Sequence, residues 1–213
     1  MISQYLYPNS ILKVKFEDHK KYKKELLQLI NKTDDEDWKN RNEYYNDKLK
    51  KTDWPKADDW SRPWIKLIVD PLYLKLQECA QKLGYKNIKL HKMWYQQYSK
   101  GDLHNWHIHD GSYTGTYYLE FDKKAPSTQF LFPSNLNKGF TINVKEGDIL
   151  FFPCSLIHRS PTSKSNKIKS IISWNIDFNL IQTQYLRNLD TVKTIRKEKN
   201  DRRKRYKCPD VQS

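Results

Sequence analysis

The chain is poor in cysteine, in arginine and in long apolar runs. Its three cysteines, Cys79, Cys154 and Cys208, are scattered and form no CxxC pair. They read as intracellular thiols rather than as a disulfide framework. No stretch of 18 apolar residues occurs, so no segment reads as a membrane span. The opening MISQYLYPNSILKVKF lacks a basic-then-apolar signal pattern, which predicts a cytoplasmic protein. No internal repeat is visible. Hydrophobic residues reach only 37% and mean hydropathy is −0.93, yet 14% of the chain is aromatic. That aromatic content excludes wholesale disorder. At 213 residues the chain suits one domain with short extensions and can bury a core without staples.

The charge is lopsided. There are 39 Lys+Arg against 25 Asp+Glu, a formal net charge of +14. Clustered basic charge is the usual footprint of phosphate binding, so a basic nucleic-acid-binding protein is one reading. However, 31 of the 39 cations are lysine, and a lysine-rich surface is an ordinary way to stay in solution. Residues 181–213 hold 10 basic and 4 acidic residues, so charge is densest in the tail. A weak nucleic-acid contact would be expected there.

Residues 11–17 alternate as a strand, and residues 18–32 follow as an amphipathic helix. Asp18 is its candidate cap, with Leu26, Leu27 and Ile30 on the buried side. Residues 33–63 are polar and irregular but carry Trp38, Tyr44, Tyr45, Trp54 and Trp60, with Trp64 just after. They read either as a loop stapled by its tryptophans or as a lid over a site that includes Trp94 and Trp106. A second helix is expected from Asp70-Pro71, with Leu72, Leu76, Cys79, Ala80 and Leu83 as its stripe and Gly84 as its end. Strand-like segments follow at 87–98, 105–109, 113–121, 128–132, 140–144, 147–152 and 168–178. Short strands at close spacing predict a β-sandwich or barrel. The chain thus divides into 1–84, a strand and support helices with a Trp-rich loop, packed on 85–180, the β core. Residues 181–213 form a basic helix or tail.

Three of the six histidines crowd into HNWHIHDG. In an extended segment His107 and His109 share a face. His158 ends the run EGDILFFPCSLIH, about fifty residues on. Neutral imidazoles bind first-row metals such as iron, zinc and copper. HxH alone is a weak metal signal, but HxH, a tyrosine-rich strand and a distant GDxxxFP–H run let the two ends meet on facing strands.

WHIHDGSYTGTYYLEF, GDILFFPCSLIHRSP and KSIISWNID resemble, in order, the elements of the Fe(II)/2-oxoglutarate-dependent dioxygenases, specifically the branch with an H-x-H…H pattern. The resemblance covers about residues 90–178. It implies a mainly β fold with N-terminal supporting α-helices, a double-stranded β-helix or cupin-like jelly roll. It also implies Fe(II), with 2-oxoglutarate and O2 as co-substrates, for hydroxylation of a protein, nucleic acid or small molecule. By position, His107, His109 and His158 would be the iron ligands. The commoner pattern has a carboxylate where His109 stands, so Asp110 is the alternative third ligand. The family usually offers an arginine about ten residues after the last histidine. Here Lys169 holds that place and Lys167 is second choice, with Ser173 and one of Tyr117 and Tyr118 completing the 2-oxoglutarate site. A cupin-like metalloenzyme that does not use 2-oxoglutarate is the competing enzyme reading.

Overall fold

A computed structural model of the chain describes residues 2–7, 9–33 and 47–181. The basic tail, Trp38, Tyr44, Tyr45 and Cys208 lie outside the described residues. Among the described residues no helix is long and apolar enough to cross a membrane.

Strands β1 (Ile2–Tyr7) and β2 (Asn9–Lys15) form a hairpin, followed by helix α1 (His19–Lys32). Asp18 does not cap α1 with its side chain; its backbone carbonyl instead accepts from the N–H groups of Lys21 and Tyr22. Leu26 and Ile30 are buried as the periodicity predicts, and Leu27 packs against the core edge. A short strand, β3 (Lys51–Thr52), and a single 3-10 turn at Trp54–Lys56 lead to helix α2 (Pro63–Lys82).

Helix α2 begins seven residues before the expected start, and Pro71 lies inside it. Pro63 fits the first helical turn, where a missing N–H costs nothing. Trp64, Ile65 and Ile68 then extend the buried stripe upstream of Leu72, Leu76, Cys79 and Ala80. That continuous apolar face outweighs the one hydrogen bond Pro71 cannot donate. Gly84 ends the helix as expected, with a φ of 90° that a side chain would resist.

The β core follows as β4 (Tyr85–Tyr98), β5 (His104–His107), β6 (Tyr113–Glu120), β7 (Gln129–Phe132), β8 (Asn135–Thr141), β9 (Asp148–Pro153), β10 (His158–Ser160) and β11 (Lys169–Ile181). A seven-stranded antiparallel sheet runs β1-β2-β9-β6-β11-β4-β3, and a four-stranded sheet runs β5-β10-β7-β8. The two sheets face each other as a jelly roll. Residues before 85 do more than support this core, because β1, β2 and β3 extend its larger sheet.

The strand expected at 140–144 is shifted to Asn135–Thr141, because it closes a hairpin on β7. Ile142 and Val144 lie past the ladder but still insert into the core between the sheets. The pleat sorts every central strand. Ile149 and Phe151 of β9, Tyr117 and Leu119 of β6, and Ile172 and Trp174 of β11 face the helices. Leu150, Phe152, Tyr118 and Ile171 face the inter-sheet core. One face buries on helix and the other on sheet, so these strands are apolar on both sides.

A buried ion pair ties the helical layer to the sheet. Asp53 accepts from Arg62 Nη1, from Trp64 Nε1 at 2.8 Å and from the Tyr95 N–H at 2.8 Å. Arg62 also donates to the Met93 carbonyl at 2.6 Å. Both charged side chains are nearly inaccessible. Asp53→Ala would strand the guanidinium in the interior and is expected to cost about 3–5 kcal/mol, read as a lowered melting temperature with cooperativity retained.

Candidate metal centre

The centre is set by one ladder. β5 pairs antiparallel with β10, and His107 stands directly opposite His158. β10 pairs on its other edge with β7, His158 opposite Phe130, so His158 is fully enclosed while His107 is half-buried. β5 ends at His107, short of the expected 105–109. The Asp110-Gly111-Ser112 turn breaks the ladder there, Gly111 having a φ of 101°. His109 therefore comes from beyond the strand, held by its backbone N–H to the Cys154 carbonyl at 3.0 Å.

The candidate ligand nitrogens of His107, His109 and His158 all lie within 4.8 Å of one another. His107 Nδ1 is 2.6 Å from the Asn105 carbonyl and His158 Nδ1 is 2.8 Å from the Leu156 carbonyl. A carbonyl only accepts, so each Nδ1 carries the proton and each Nε2 keeps a free lone pair. His109 Nε2 and His158 Nε2 approach to 3.2 Å. Burial pushes the pKa of His109 down to about 4 and holds those of His107 and His158 well below the usual imidazole range. The rings are thus neutral near pH 7, the state a divalent first-row metal requires, and the backbone carbonyls supply the outer support typical of metal-binding imidazoles.

Asp110 does not enter the cluster. Its carboxylate accepts from Asn175 Nδ2 at 2.5 Å and from Lys92 Nζ at 2.8 Å, which also pins the turn carrying His109. A fourth histidine lies alongside. His104 stacks on His107 with centroids 3.9 Å apart, and its Nε2 is 3.1 Å from the buried Asp47 carboxylate. Asp47 also accepts from the Asn105 N–H, and Lys48 bridges to Leu103, so residues 47–48 are stapled to the start of β5. Trp94 tilts over His109 and Trp54 stands edge-on to Trp94, so two tryptophans screen one side of the centre. Trp64, by contrast, is a core residue.

From the histidines a narrow cavity runs between the sheets to Lys169. Lys169 opens β11, opposite Tyr98. Its Nζ donates to Ser160 Oγ at 2.7 Å and to the Pro126 carbonyl at 2.9 Å, and lies 4.6 Å over the Tyr98 ring. Among the described residues no carboxylate pairs with it or lines the cavity. Burial alone drives its pKa down to about 7. Ser173 lines the cavity between Lys169 and the histidines. Lys167 is exposed and pairs with Asp122 at 3.6 Å, so it is not the interior cation.

The tyrosine expectation needs correction. Tyr117 faces the helices, its hydroxyl 2.7 Å from His19 Nδ1, because the β6 pleat turns it away from the cavity. Tyr118 does point between the sheets, but its hydroxyl is taken by Thr128 Oγ1 at 2.7 Å and by the Thr128 N–H. The phenol beside Lys169 is Tyr98, with Ser160 bonded to its hydroxyl. Sequence reading missed both. Ser160 was recoverable, since it lies two residues past His158 on the same strand face. Tyr98 was not, since only the β4–β11 register brings it to Lys169.

A family profile described as "Putative 2OG-Fe(II) oxygenase" matches residues 92–175, from the middle of β4 through the cluster to β11. Over residues 92–175, less than half of its length, the chain is thus similar to the 2OG-Fe(II) oxygenases. The family uses Fe(II) and 2-oxoglutarate, and its members are oxidoreductases. No curated protein sequence matches the chain. The fold is shared with solved oxygenase structures. A prolyl hydroxylase from Trichoplax adhaerens, in complex with a hypoxia inducible factor oxygen degradation domain peptide fragment, aligns at 19% identity and a TM-score of 0.54, covering 77% of this chain and 82% of its own. The viral collagen prolyl hydroxylase of Paramecium Bursaria Chlorella virus-1, a 2OG complex, aligns at 15% identity and a TM-score of 0.53, covering 78% and 94%. A 2OG-Fe(II) oxygenase family oxidoreductase from Burkholderia pseudomallei aligns at 10% identity and a TM-score of 0.49 over 56% of this chain, and this chain spans 61% of that protein.

The buried ammonium of this oxygenase fold has a measurable cost. Unfolded, Lys169 holds its proton up to about pH 10.5; folded, it does so only below about 7. The unfolded state therefore binds more protons between those values, and stability rises with pH across them. Lys169→Met is expected to raise stability most at and below pH 7, by at most about 5 kcal/mol, read as a higher melting temperature, with the gain shrinking as pH climbs towards 10.5.

Proposed function

We propose that the chain is a non-haem iron oxygenase that uses 2-oxoglutarate and O2 to hydroxylate a substrate, with His107, His109 and His158 as the iron ligands and Lys169 as the anchor for 2-oxoglutarate. The observation that carries this reading is Lys169: a buried ammonium with no carboxylate partner, at the closed end of a cavity whose other end holds three neutral imidazoles. A buried unpaired cation is costly, and an anion supplied by a ligand offsets that cost. The three imidazoles fit the metal, with Nε2 lone pairs of His107 and His158 turned inward by their Nδ1 bonds.

Iron held there with 2-oxoglutarate would supply oxidation of a C–H bond by O2, with succinate and carbon dioxide as the other products. The chain's own contribution is placement. Lys169 would receive the distal carboxylate, assisted by the hydroxyls of Ser160, Ser173 and Tyr98. The lysine offers a point charge where a guanidinium would offer a fork, so these hydroxyls carry the orientation. His109, backed by the Asp110–Lys92 and Asp110–Asn175 bonds, would complete the ligand face, and Trp94 would screen it from water. A peptide substrate is consistent with the peptide-bound prolyl hydroxylase of similar fold.

Anaerobic addition of Fe(II) and 2-oxoglutarate should produce a metal-to-ligand absorption band. It should be absent in His107→Ala and His158→Ala but retained in Asp110→Ala; no band in the unaltered protein would overturn the reading. Lys169→Met should bind metal normally and weaken 2-oxoglutarate at least about tenfold; unchanged 2-oxoglutarate affinity would favour a cupin-like metalloenzyme instead.

The pH dependence has a definite sign. In the free protein Lys169 loses its proton above about pH 7, and the incoming dianion must draw one back. Apparent 2-oxoglutarate affinity should therefore fall as pH rises above 7, by up to about tenfold per unit, seen by titrating the band at pH 6.5 and 8.5.

A further inference from the structure

The wall between the histidines and Lys169 carries a polar group that the assignment above leaves unused. Gln96 lies on β4 between Trp94 and Tyr98. Alternation puts these three side chains on one face of the strand, and all three line the cavity. Ile171, opposite Gln96 on β11, lines it too. Trp94 tilts over His109 at one end, and Tyr98 stands beneath the Lys169 ammonium at the other. Gln96 therefore sits between the metal end and the anchor end.

A relay orients its amide. Gln96 Nε2 is 3.2 Å from His104 Nδ1, and His104 Nε2 is 3.1 Å from Asp47 Oδ2. A carboxylate only accepts, so the imidazole proton sits on Nε2 and Nδ1 is left to accept. Only the NH2 end of the Gln96 amide can meet it. His104 also lines the cavity, but both of its ring nitrogens are engaged. The carbonyl end of Gln96 is thereby the free one. Its Oε1 has no hydrogen-bond partner among the described residues, yet it is not sealed off as Asn175 Oδ1 is. The residue as a whole is only 6% exposed. An accessible oxygen on so enclosed a side chain opens on the cavity that the side chain lines.

The co-substrate does not suit this oxygen. The 2-oxoglutarate dianion carries only acceptors, whereas an acceptor in the wall calls for a donor. A substrate lacking that donor would leave the amide oxygen desolvated and unbonded, which disfavours it.

We propose that Gln96 is a specificity-determining residue whose Oε1 accepts a hydrogen bond from a neutral N–H or O–H donor on the prime substrate, and that Asp47, acting through His104, is its positioning residue. The substrate role rests on the iron and 2-oxoglutarate reading, whereas the Asp47–His104–Gln96 relay stands without it. The donor belongs to an amide or to a hydroxyl; each offers the same single polar hydrogen.

The test uses neutral probe pairs of similar size. N-methylacetamide has an amide donor that N,N-dimethylacetamide lacks, and 1-propanol has a hydroxyl donor that methoxyethane lacks. Binding is followed by indole fluorescence, since Trp94 flanks Gln96 in the cavity, on metal-free protein and on the anaerobic Fe(II)–2-oxoglutarate form. At least one donor should bind about fivefold tighter than its partner, and the pair that shows this tells amide from hydroxyl. Gln96→Met, of similar length but without the oxygen, should erase the preference while leaving the iron–2-oxoglutarate band intact. In Asp47→Asn the new amide can donate to His104 Nε2, moving the ring proton to Nδ1 and turning the Gln96 oxygen towards it. The donor preference should then fall, an effect that loss of a purely structural contact would not produce. Donors and their partners behaving alike, including no binding of either, or a preference that survives in Gln96→Met, would overturn the proposal. An unchanged preference in Asp47→Asn would overturn the role of Asp47. Loss of the iron band in the unaltered protein with donor preference intact would instead count against the oxygenase reading alone.

Discussion

The antiparallel register of β5 on β10 is the constraint on which the centre depends. With His107 opposite His158, two imidazoles from segments about fifty residues apart share one face of one sheet. A one-residue slip would turn one of them to the opposite face. That register is fixed on both sides: β10 is also paired to β7, and β5 is stapled by the Asp47 bonds to His104 and the Asn105 N–H. The short ladder therefore borrows rigidity from a strand on one edge and from a connecting segment on the other. His109, just beyond the strand, relies on a backbone bond to Cys154 and on the Asp110 clamp.

The electrostatics of the cavity depart from what stability alone would select. Three imidazoles are held neutral by burial, and an ammonium is enclosed without a counter-ion among the described residues. Ordinary interiors pair such groups, as Asp53 and Arg62 do in the helical layer. The contrast between these two buried sites within one chain separates structure from function. The charges that hold the fold are matched by the chain; the ammonium in the cavity is not, among the described residues.

Much of the fold was legible in the sequence because period-two alternation survives even in strands buried on both faces. The positions of most strands, the stripe of α2 and the three clustering histidines all follow from local pattern. The failures have local causes as well. Pro71 read as a helix start because proline usually marks one, yet a buried stripe running from Trp64 carried the helix through it. Asp18 read as a side-chain cap, but its backbone carbonyl holds the first turn. The Tyr117–Tyr118 pair could not be resolved because alternation tells that neighbours part, not which one faces which layer.

The sequence by itself determined the residue types of the centre and their order: two histidines two apart, a third after an apolar strand and a proline, and a lysine eleven residues later. Those are properties of spacing, which the chain carries locally. Tertiary structure alone decided that His109 rather than Asp110 meets the other two histidines, that Lys169 rather than Lys167 is enclosed, and that Tyr98 and Ser160 share the cavity. These outcomes depend on strand register and on burial, both of which arise from pairing between distant segments. Burial then sets the protonation states, since desolvation and not sequence neighbourhood makes the imidazoles neutral and the ammonium weakly basic.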